Sequence, residues 1–388
     1  MLKEFLEDDS IKNQWPKKIY HLIHQRGPIT KNDLLLLTKT KQTTLNRFMD
    51  DLVYSNVIVE CGYGESSGGR PPVLYKVNEK AAYIIGIDIS RIQTKIVLVN
   101  LAYHTIEQTS FAMTEKETPS IVFAKMKQII TKWITEYNIA WNQLLGIGVG
   151  TVGPVQREEG IIVKPEAFLA PRWENVHVAR QLHEYFPVKI VVDNGANSAV
   201  VAEYSQYPSY ENILYVIGGY GIRCGVICNG QLLHSKLGDS SAYGHIIVHA
   251  GDTPTTKGKK GSLSHFATFG AMVEEWKQTV NEETDVTFSD LLYELKRGNP
   301  SVIKIVEKAA YYYAIGIANM VNVLHPELVV LHGHLISESN WYYQEVVKQA
   351  KSHLYIEDKS LITFSKGTFG ADAIAIGAAI QAFQSYFV

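Results

Sequence analysis

Side chains able to read a nucleic acid lie close together near the start of this 388-residue chain. Lys41, Gln42, Thr43, Thr44, Asn46 and Arg47 put short polar and basic groups between positions 41 and 47. A guanidinium matches guanine or a phosphate, and a carboxamide such as Gln42 or Asn46 matches the edge of adenine. A second group follows at Ser67, Gly68, Gly69 and Arg70. Small residues let a backbone approach a duplex closely, and arginine suits the negative potential of a narrow minor groove. From Ser10 to Phe48 eight lysines and arginines stand against the single acid Asp33, a net +7, in a chain of formal net charge −2. With no global basic field, a nucleic-acid surface must be local.

The elements that hold these groups follow from hydrophobic spacing. Ile19, Leu22 and Ile23 keep helical spacing on a first helix, which Gly27-Pro28 ends. Thr30 stands three residues before Asp33, a capping-box-like start for a short second helix from Asp33 to Leu37. In a third helix Leu45, Phe48, Met49, Leu52 and Val53 recur at i, i+3, i+4, i+7 and i+8. That stripe is read as core, and Lys41 to Arg47 begin the opposite face. Val57-Ile58-Val59 and Val73 to Val77 read as two strands around the loop Gly62 to Pro72. The pattern predicts a winged helix-turn-helix, with the third helix in the major groove and the loop as wing rather than linker. From Ala81 onward β-rich segments alternate with helices, the α/β pattern; Ile84 to Ile89 and Lys95 to Asn100 read as a hairpin-like pair.

Longer motifs give the body a family resemblance. Leu145 to Val155, Lys164 to Val176, Val191 to Ala199, Tyr215 to Gly225, Ser241 to His245, His325 to His334 and Phe369 to Ala379 resemble motifs of the ROK family (repressors, open reading frames and sugar kinases). Ser66 to Pro72 resembles the wing of its repressors. The resemblance runs from Lys17 to Ala379 and implies a two-lobed, actin-like body of the sugar-kinase type. It also implies lost chemistry. Gly195 stands where the family's kinases carry the aspartate that takes the proton from the attacking sugar hydroxyl, and glycine offers no base. Ser90 and Arg91 follow Asp88 in the first phosphate loop, Arg223 interrupts the second, and His332 and His334 replace glycines near the nucleotide. Bulky side chains obstruct backbone amides that would point at phosphate. Of the sugar-site residues Asn194 and His245 survive, Ala242 replaces a glutamate, and Glu166 replaces an asparagine. The family's three zinc cysteines are Thr255, Lys257 and Ser262. Structural zinc takes four N or S ligands; His245 remains, with His249 and His265 as a substitute set near it in sequence.

The resulting expectation is a winged helix-turn-helix (α+β) over 1–78, a first ROK lobe over 79–200 completed by a C-terminal helix at 370–388, and a second lobe over 201–369. The protein is expected to be no enzyme and to use no metal or cofactor. It reads as a sequence-specific DNA-binding regulator, a repressor of carbohydrate-related genes. Its expected partners are operator DNA, a sugar or sugar-derivative effector, and further copies of itself in a homodimer or homotetramer. Two alternatives stay open: a ROK-type sugar kinase with an appended DNA-binding domain, and a ligand-independent protein-interaction module. Three cysteines, an odd count with no paired framework, fit a reducing cytoplasm. The acidic start is no signal peptide, and no run of about 18 apolar residues marks a membrane span.

Overall fold

The structure, a computed structural model, describes residues 2–65, 70–165, 167–234, 240–251, 261–280 and 286–387. The head comprises helices α1 (Leu2–Glu7), α2 (Ile11–Arg26), α3 (Lys31–Thr38) and α4 (Gln42–Tyr54) with strands β1 (Ile29–Thr30), β2 (Ile58–Tyr63) and β3 (Val73–Val77). The Thr30 hydroxyl accepts from the Asp33 N–H at 3.1 Å, and the Asp33 carboxylate accepts from the Thr30 N–H at 3.2 Å. This reciprocal cap satisfies donors that a helix start otherwise leaves open. Leu45, Met49 and Leu52 of α4 are buried beside Ile19 and Leu34. Val53 is 37% exposed, contrary to the expected stripe; eight residues after Leu45 it lies about 80° further round the helix, at the edge of the buried face. β2 and β3 pair antiparallel from Ile58↔Val77 to Tyr63↔Val73, and β1 pairs with the other edge of β3. Ser67, Gly68 and Gly69, at the expected wing tip, lie outside the described residues.

The body contains two five-stranded sheets of the same topology. In the first, β4 (Tyr83–Ile89), β5 (Gln93–Asn100) and β6 (Thr105–Ala112) form an antiparallel meander. β7 (Leu144–Thr151) then joins β4 in parallel. Three two-residue strands, β8 (Val155–Gln156), β9 (Ile161–Ile162) and β10 (Val176–His177), make a small separate sheet. β11 (Lys189–Asn194) closes the first sheet in parallel with β7. The second repeats the plan with β12 (Ile213–Ile217), β13 (Arg223–Cys228), β14 (Gln231–Leu232), β15 (Leu328–His332) and β16 (Thr363–Ser365).

Side chains alternate across each strand, so each sheet buries two faces. One face of the first sheet, with Ile85, Ile87 and Ile147, packs against α5 (Pro119–Glu136) and α6 (Val178–His183). One face of the second, with Leu214, Val216 and Val329, packs under α8 (Leu263–Ala267), α9 (Phe269–Val280), α10 (Phe288–Lys296), α11 (Pro300–Leu324), α12 (His334–Glu338) and α13 (Asn340–Ser352). The remaining two faces meet through a central helix pair. α7 (Gly195–Gln206) continues from β11 yet lies on the second sheet, and α14 (Ala373–Gln384) follows β16 yet lies on the first. Gly86 and Gly148 make that approach possible, because a Cβ at either would run into the carbonyl oxygen of Ala375 or Ala378 on α14. α7 thus runs through residue 200. No described helix is long and apolar enough to cross a membrane.

The head shares one continuous core with the body. His21 of α2 stacks on Phe387 at 4.2 Å, and the His24 ring lies 4.4 Å from Phe383 and 5.2 Å from Tyr103. The His24 Nε2–H donates to the Leu101 carbonyl at 2.8 Å.

Candidate functional site

Two surfaces carry chemistry. On the head, α4 starts after Lys41, whose backbone is extended (φ −73°, ψ 141°) and whose side chain makes no cap hydrogen bond. Lys41, Gln42, Thr43 and Arg47 are exposed, while Thr44 and Asn46 are half-buried. The Arg47 guanidinium rests 5.1 Å from the Phe48 ring. Arg70 is exposed just before β3. Part of the head's positive charge is taken up internally: Lys17 pairs with Asp9 at 2.8 Å and Lys31 with Asp50 at 3.4 Å. Both lie outside the 41–47 segment.

On the body, the β4–β5 turn, the β12–β13 loop, the end of β15 and the start of α14 enclose a cleft of about 450 Å³. Ser90, Arg91, Arg223, His332 and His334, each expected at a phosphate or nucleotide surface, all line it. The Ser90 hydroxyl donates to the Gln93 carbonyl at 2.8 Å and tightens the β4–β5 turn. Asp88, at the cleft floor, is 6% exposed. Burial raises its carboxyl to about 7, against the opposing pull of Arg223 and Lys95. Lys95, its cross-strand neighbour, is ion-paired with Asp372.

The expected sugar-site residues take different positions. Asn194 caps α7, its Oδ1 accepting from the Ala196 N–H at 3.0 Å. It is 3% exposed, and its Nδ2 has no partner among the described residues. A Cβ on Gly195 would lie 3.2 Å from Cδ1 of Ile374, a tight contact that the Ile374 side chain, in the first turn of α14, would have to yield to. Asp193 is 4% exposed and engaged on both oxygens. Its Oδ1 accepts from the Asn194 N–H and from Asn197 Nδ2, and its Oδ2 from Gln381 Nε2 at 2.8 Å. His234 Nδ1 approaches the same Oδ2 at 4.0 Å, and burial lowers the pKa of that imidazole. Asp193 therefore ties β11 to α7 and α14 and is not among the cleft-lining residues.

His245 is exposed at the end of the 3₁₀ turn Ser240–His245 and does not line the cleft. Glu166, Thr255 and Lys257 lie outside the described residues. Ser262 is buried at the N-terminus of α8. His249 and His265 both turn toward Phe266, at 6.0 and 4.9 Å between ring centres. Among the described residues no group of three or more His, Cys, Asp or Glu is placed to hold a metal. Trp173 packs on Phe168 at 4.6 Å and donates from Nε1 to the Glu117 carbonyl at 3.0 Å, so it holds its loop.

Sequence reasoning missed Ile374 and the His24–Phe383 joint. Ile374 is an ordinary apolar residue at a helix start, and only the closing of the two lobes shows that it faces Gly195.

A winged head built into the core of two like sheets around a cleft defines a protein of the actin-like, sugar-kinase fold with a helix-turn-helix module. The ROK family model matches residues 84–385, and the chain belongs to that family. The xylose repressor of Bacillus subtilis is 24% identical to it over 95% of this chain and 94% of its own length. A solved ROK family transcriptional regulator, a homologue of the Escherichia coli MLC protein, matches 97% of both chains with a TM-score of 0.77 at 19% identity. The ROK hexokinase of Thermus thermophilus matches 98% of its own length but 78% of this chain, with a TM-score of 0.65 at 21% identity.

Proposed function

We propose that this protein is a sequence-specific repressor of carbohydrate-related genes, with a body that senses a small effector and transfers no phosphate. The observation that carries this reading is the exposed basic N-terminus of α4, set on a head that shares its core with a body lacking a base at Gly195. The resemblance to a xylose repressor over nearly the whole chain supports it, whereas the hexokinase accounts for a share no larger than the body. A missing general base typically costs 10²–10⁴-fold, and Asp193 is committed to Asn197 and Gln381.

In this reading Lys41, Gln42, Thr43, Thr44, Asn46 and Arg47 enter the major groove, and Ser67, Gly68, Gly69 and Arg70 form the wing. The head spans 1–78, the first lobe 79–200 with 370–388, and the second lobe 201–369. Asn194, Glu166 and His245 remain the sugar-facing candidates. Two copies would read half-sites about 34–36 Å apart on an inverted repeat. The central helices give the effector its route. α7, capped by Asn194, reaches the head joint at Tyr204; α14, with Ile374 of its first turn beside the cleft, reaches the joint at Phe383. A ligand that favours one lobe arrangement then biases head position.

The test is binding of the purified protein to DNA upstream of its own gene, with competitor DNA present and salt varied, beside an ATP-turnover assay with glucose and xylose. Saturable, competitor-resistant binding with background turnover is the expected result. Binding that tracks no sequence and collapses with salt, or sugar-dependent ATP turnover, would overturn the proposal.

A further inference from the structure

We infer that the cavity between the head and the body is a ligand site separate from the interlobe cleft, and that it takes a small aromatic carboxylate. Its consequence for gene control rests on the reading of the head as a DNA-binding module; the binding itself does not. The cavity holds about 510 Å³, against about 450 Å³ for the cleft, and falls within the range of small-molecule sites. The two share no lining residue. The C-terminal half of α2, the end of β3, the β5–β6 turn and the C-terminal halves of α7 and α14 enclose it. A molecule seated there touches the head, the first lobe and both central helices at once.

The inner wall is apolar and aromatic. Val201, Ile380 and Phe383 are buried. The His24, Tyr103 and Phe383 rings pack on one another at 4.4 to 6.3 Å between centres. The His24 Nε2–H is already given to the Leu101 carbonyl, and burial lowers the imidazole pKa to about 4. This wall therefore offers ring faces and no charge. Aromatic rings gain from offset or edge-on contact beyond the area they bury, so the wall suits a planar ring.

The mouth carries the charge. Glu79, the one carboxylate among the described residues that line the cavity, accepts from the Lys76 ammonium at 2.6 Å. Arg26 is exposed, and its guanidinium has no partner among the described residues. The two helix ends at the rim are capped by their own chain: the Gly27 N–H donates to the Ile23 carbonyl at 2.8 Å, and the Tyr207 N–H to the Tyr204 carbonyl at 3.1 Å. The cation left over is Arg26, whose fork matches a carboxylate two oxygens at a time. A ring against the inner wall with its carboxylate at Arg26 uses both features. Such an occupant contacts head and body together, so it binds the docked head better than a released one and shifts that equilibrium toward docking.

Calorimetric titration of the full chain with benzoate and indole-3-acetate tests the inference, with benzyl alcohol, benzylamine and acetate as uncharged, cationic and ring-free probes. At least one aromatic carboxylate is expected to bind saturably, and about tenfold or more tighter than the other three probes. Arg26→Gln, on the surface, is expected to weaken it about tenfold. Ala102→Trp, which fills the cavity from the β5–β6 turn, is expected to abolish it; should that variant not fold, Arg26→Gln decides. At a ligand concentration about 100 times Kd, hydrogen exchange of α2 that passes through release of the head is expected to slow by up to about 100-fold, with α11 unchanged. Failure of both aromatic carboxylates to bind, equal or tighter binding of any of the other probes, or binding unmoved by Arg26→Gln overturns the inference. Operator binding measured on the same preparation separates the two claims. DNA binding without carboxylate binding removes only this site, and carboxylate binding without sequence-specific DNA binding removes the repressor reading and leaves the site standing.

Discussion

Arg47 and Arg70 meet a duplex from different elements, so their losses have different signatures. Arg47 sits on the exposed side of α4 two residues after the buried Leu45. If it reads a base, Arg47→Ala costs about 1–3 kcal/mol and relaxes preference at one operator position. Arg70 stands at the wing, where a backbone or minor-groove contact is sequence-tolerant. Arg70→Ala is expected to weaken binding across sequences and to lower the salt slope by about 1. Titrations against an operator and a scrambled duplex over a salt series separate the two, and wild-type binding by both variants would remove both elements from the interface. Gly195→Asp is expected to leave ATP turnover at background, because Ile374 crowds that position and Arg223, His332 and His334 still line the nucleotide side. Sugar-stimulated turnover by this single variant would contradict that. Gly195 was legible in the sequence because an absent side chain can be read from a motif. Ile374 was not, since its partner lies 179 positions away and no local pattern links them.

At the scale of elements, the head was readable because its signals are local. The Thr30–Asp33 cap, the α4 stripe and the two wing strands each span a few residues, and only Val53, at the stripe's edge, departs from the pattern. α1 escaped notice because its buried Leu2 and Leu6 give a single i, i+4 repeat among acidic neighbours. The shared topology of the two sheets was hidden for a different reason. Parallel pairs such as β4 with β7 join residues about sixty positions apart, and local periodicity does not state which strands meet. The crossing of α7 and α14 belongs to the same class. It rests on Gly377, where an added Cβ would run into the Ser198 carbonyl oxygen on α7. Gly377→Ala is therefore expected to destabilise the body by about 1–3 kcal/mol or more, through overpacking that backbone atoms cannot relieve. Met49→Ala, which opens a cavity under α4, is expected to cost about 2–5 kcal/mol. Urea unfolding measures both. A Gly377→Ala protein as stable as wild type would mean that the helix pair can separate, and the proposed route from cleft to head would lose its rigid link.

The whole molecule depends on the joint between head and body, and that joint has a titratable group at its centre. His24 lies between Phe383 and Tyr103 and donates to the Leu101 carbonyl. Burial lowers its pKa from 6.5 to about 4, and burial also lowers that of His21 one turn earlier. Arg26 on the same helix, the Lys76–Glu79 pair, Tyr103 and Tyr204 are the other ionisable residues lining the adjoining cavity. A released head would take up the proton near the ordinary imidazole value, whereas the docked head resists it. Docking is then fully favoured above about pH 6.5 and weakens as pH falls toward 4, at up to about 1.4 kcal/mol per unit for one proton. Asp88 acts in the opposite direction over part of this range. Its carboxyl is raised to about 7 in the fold, so the stability lost by burying it is regained as pH falls. A global melting curve mixes the two effects, and the measurement must be local. Hydrogen exchange of α2 and the C-terminal half of α14 is expected to quicken between pH 7.5 and pH 5 after correction for intrinsic rates. His24→Gln, which keeps a side-chain donor for Leu101 and cannot take up a proton in this range, is expected to flatten that dependence. Equal pH dependence in the two proteins would show that the joint is held by its aromatic packing alone, with Phe383 and Phe387 rather than the imidazole setting how firmly the head follows the body.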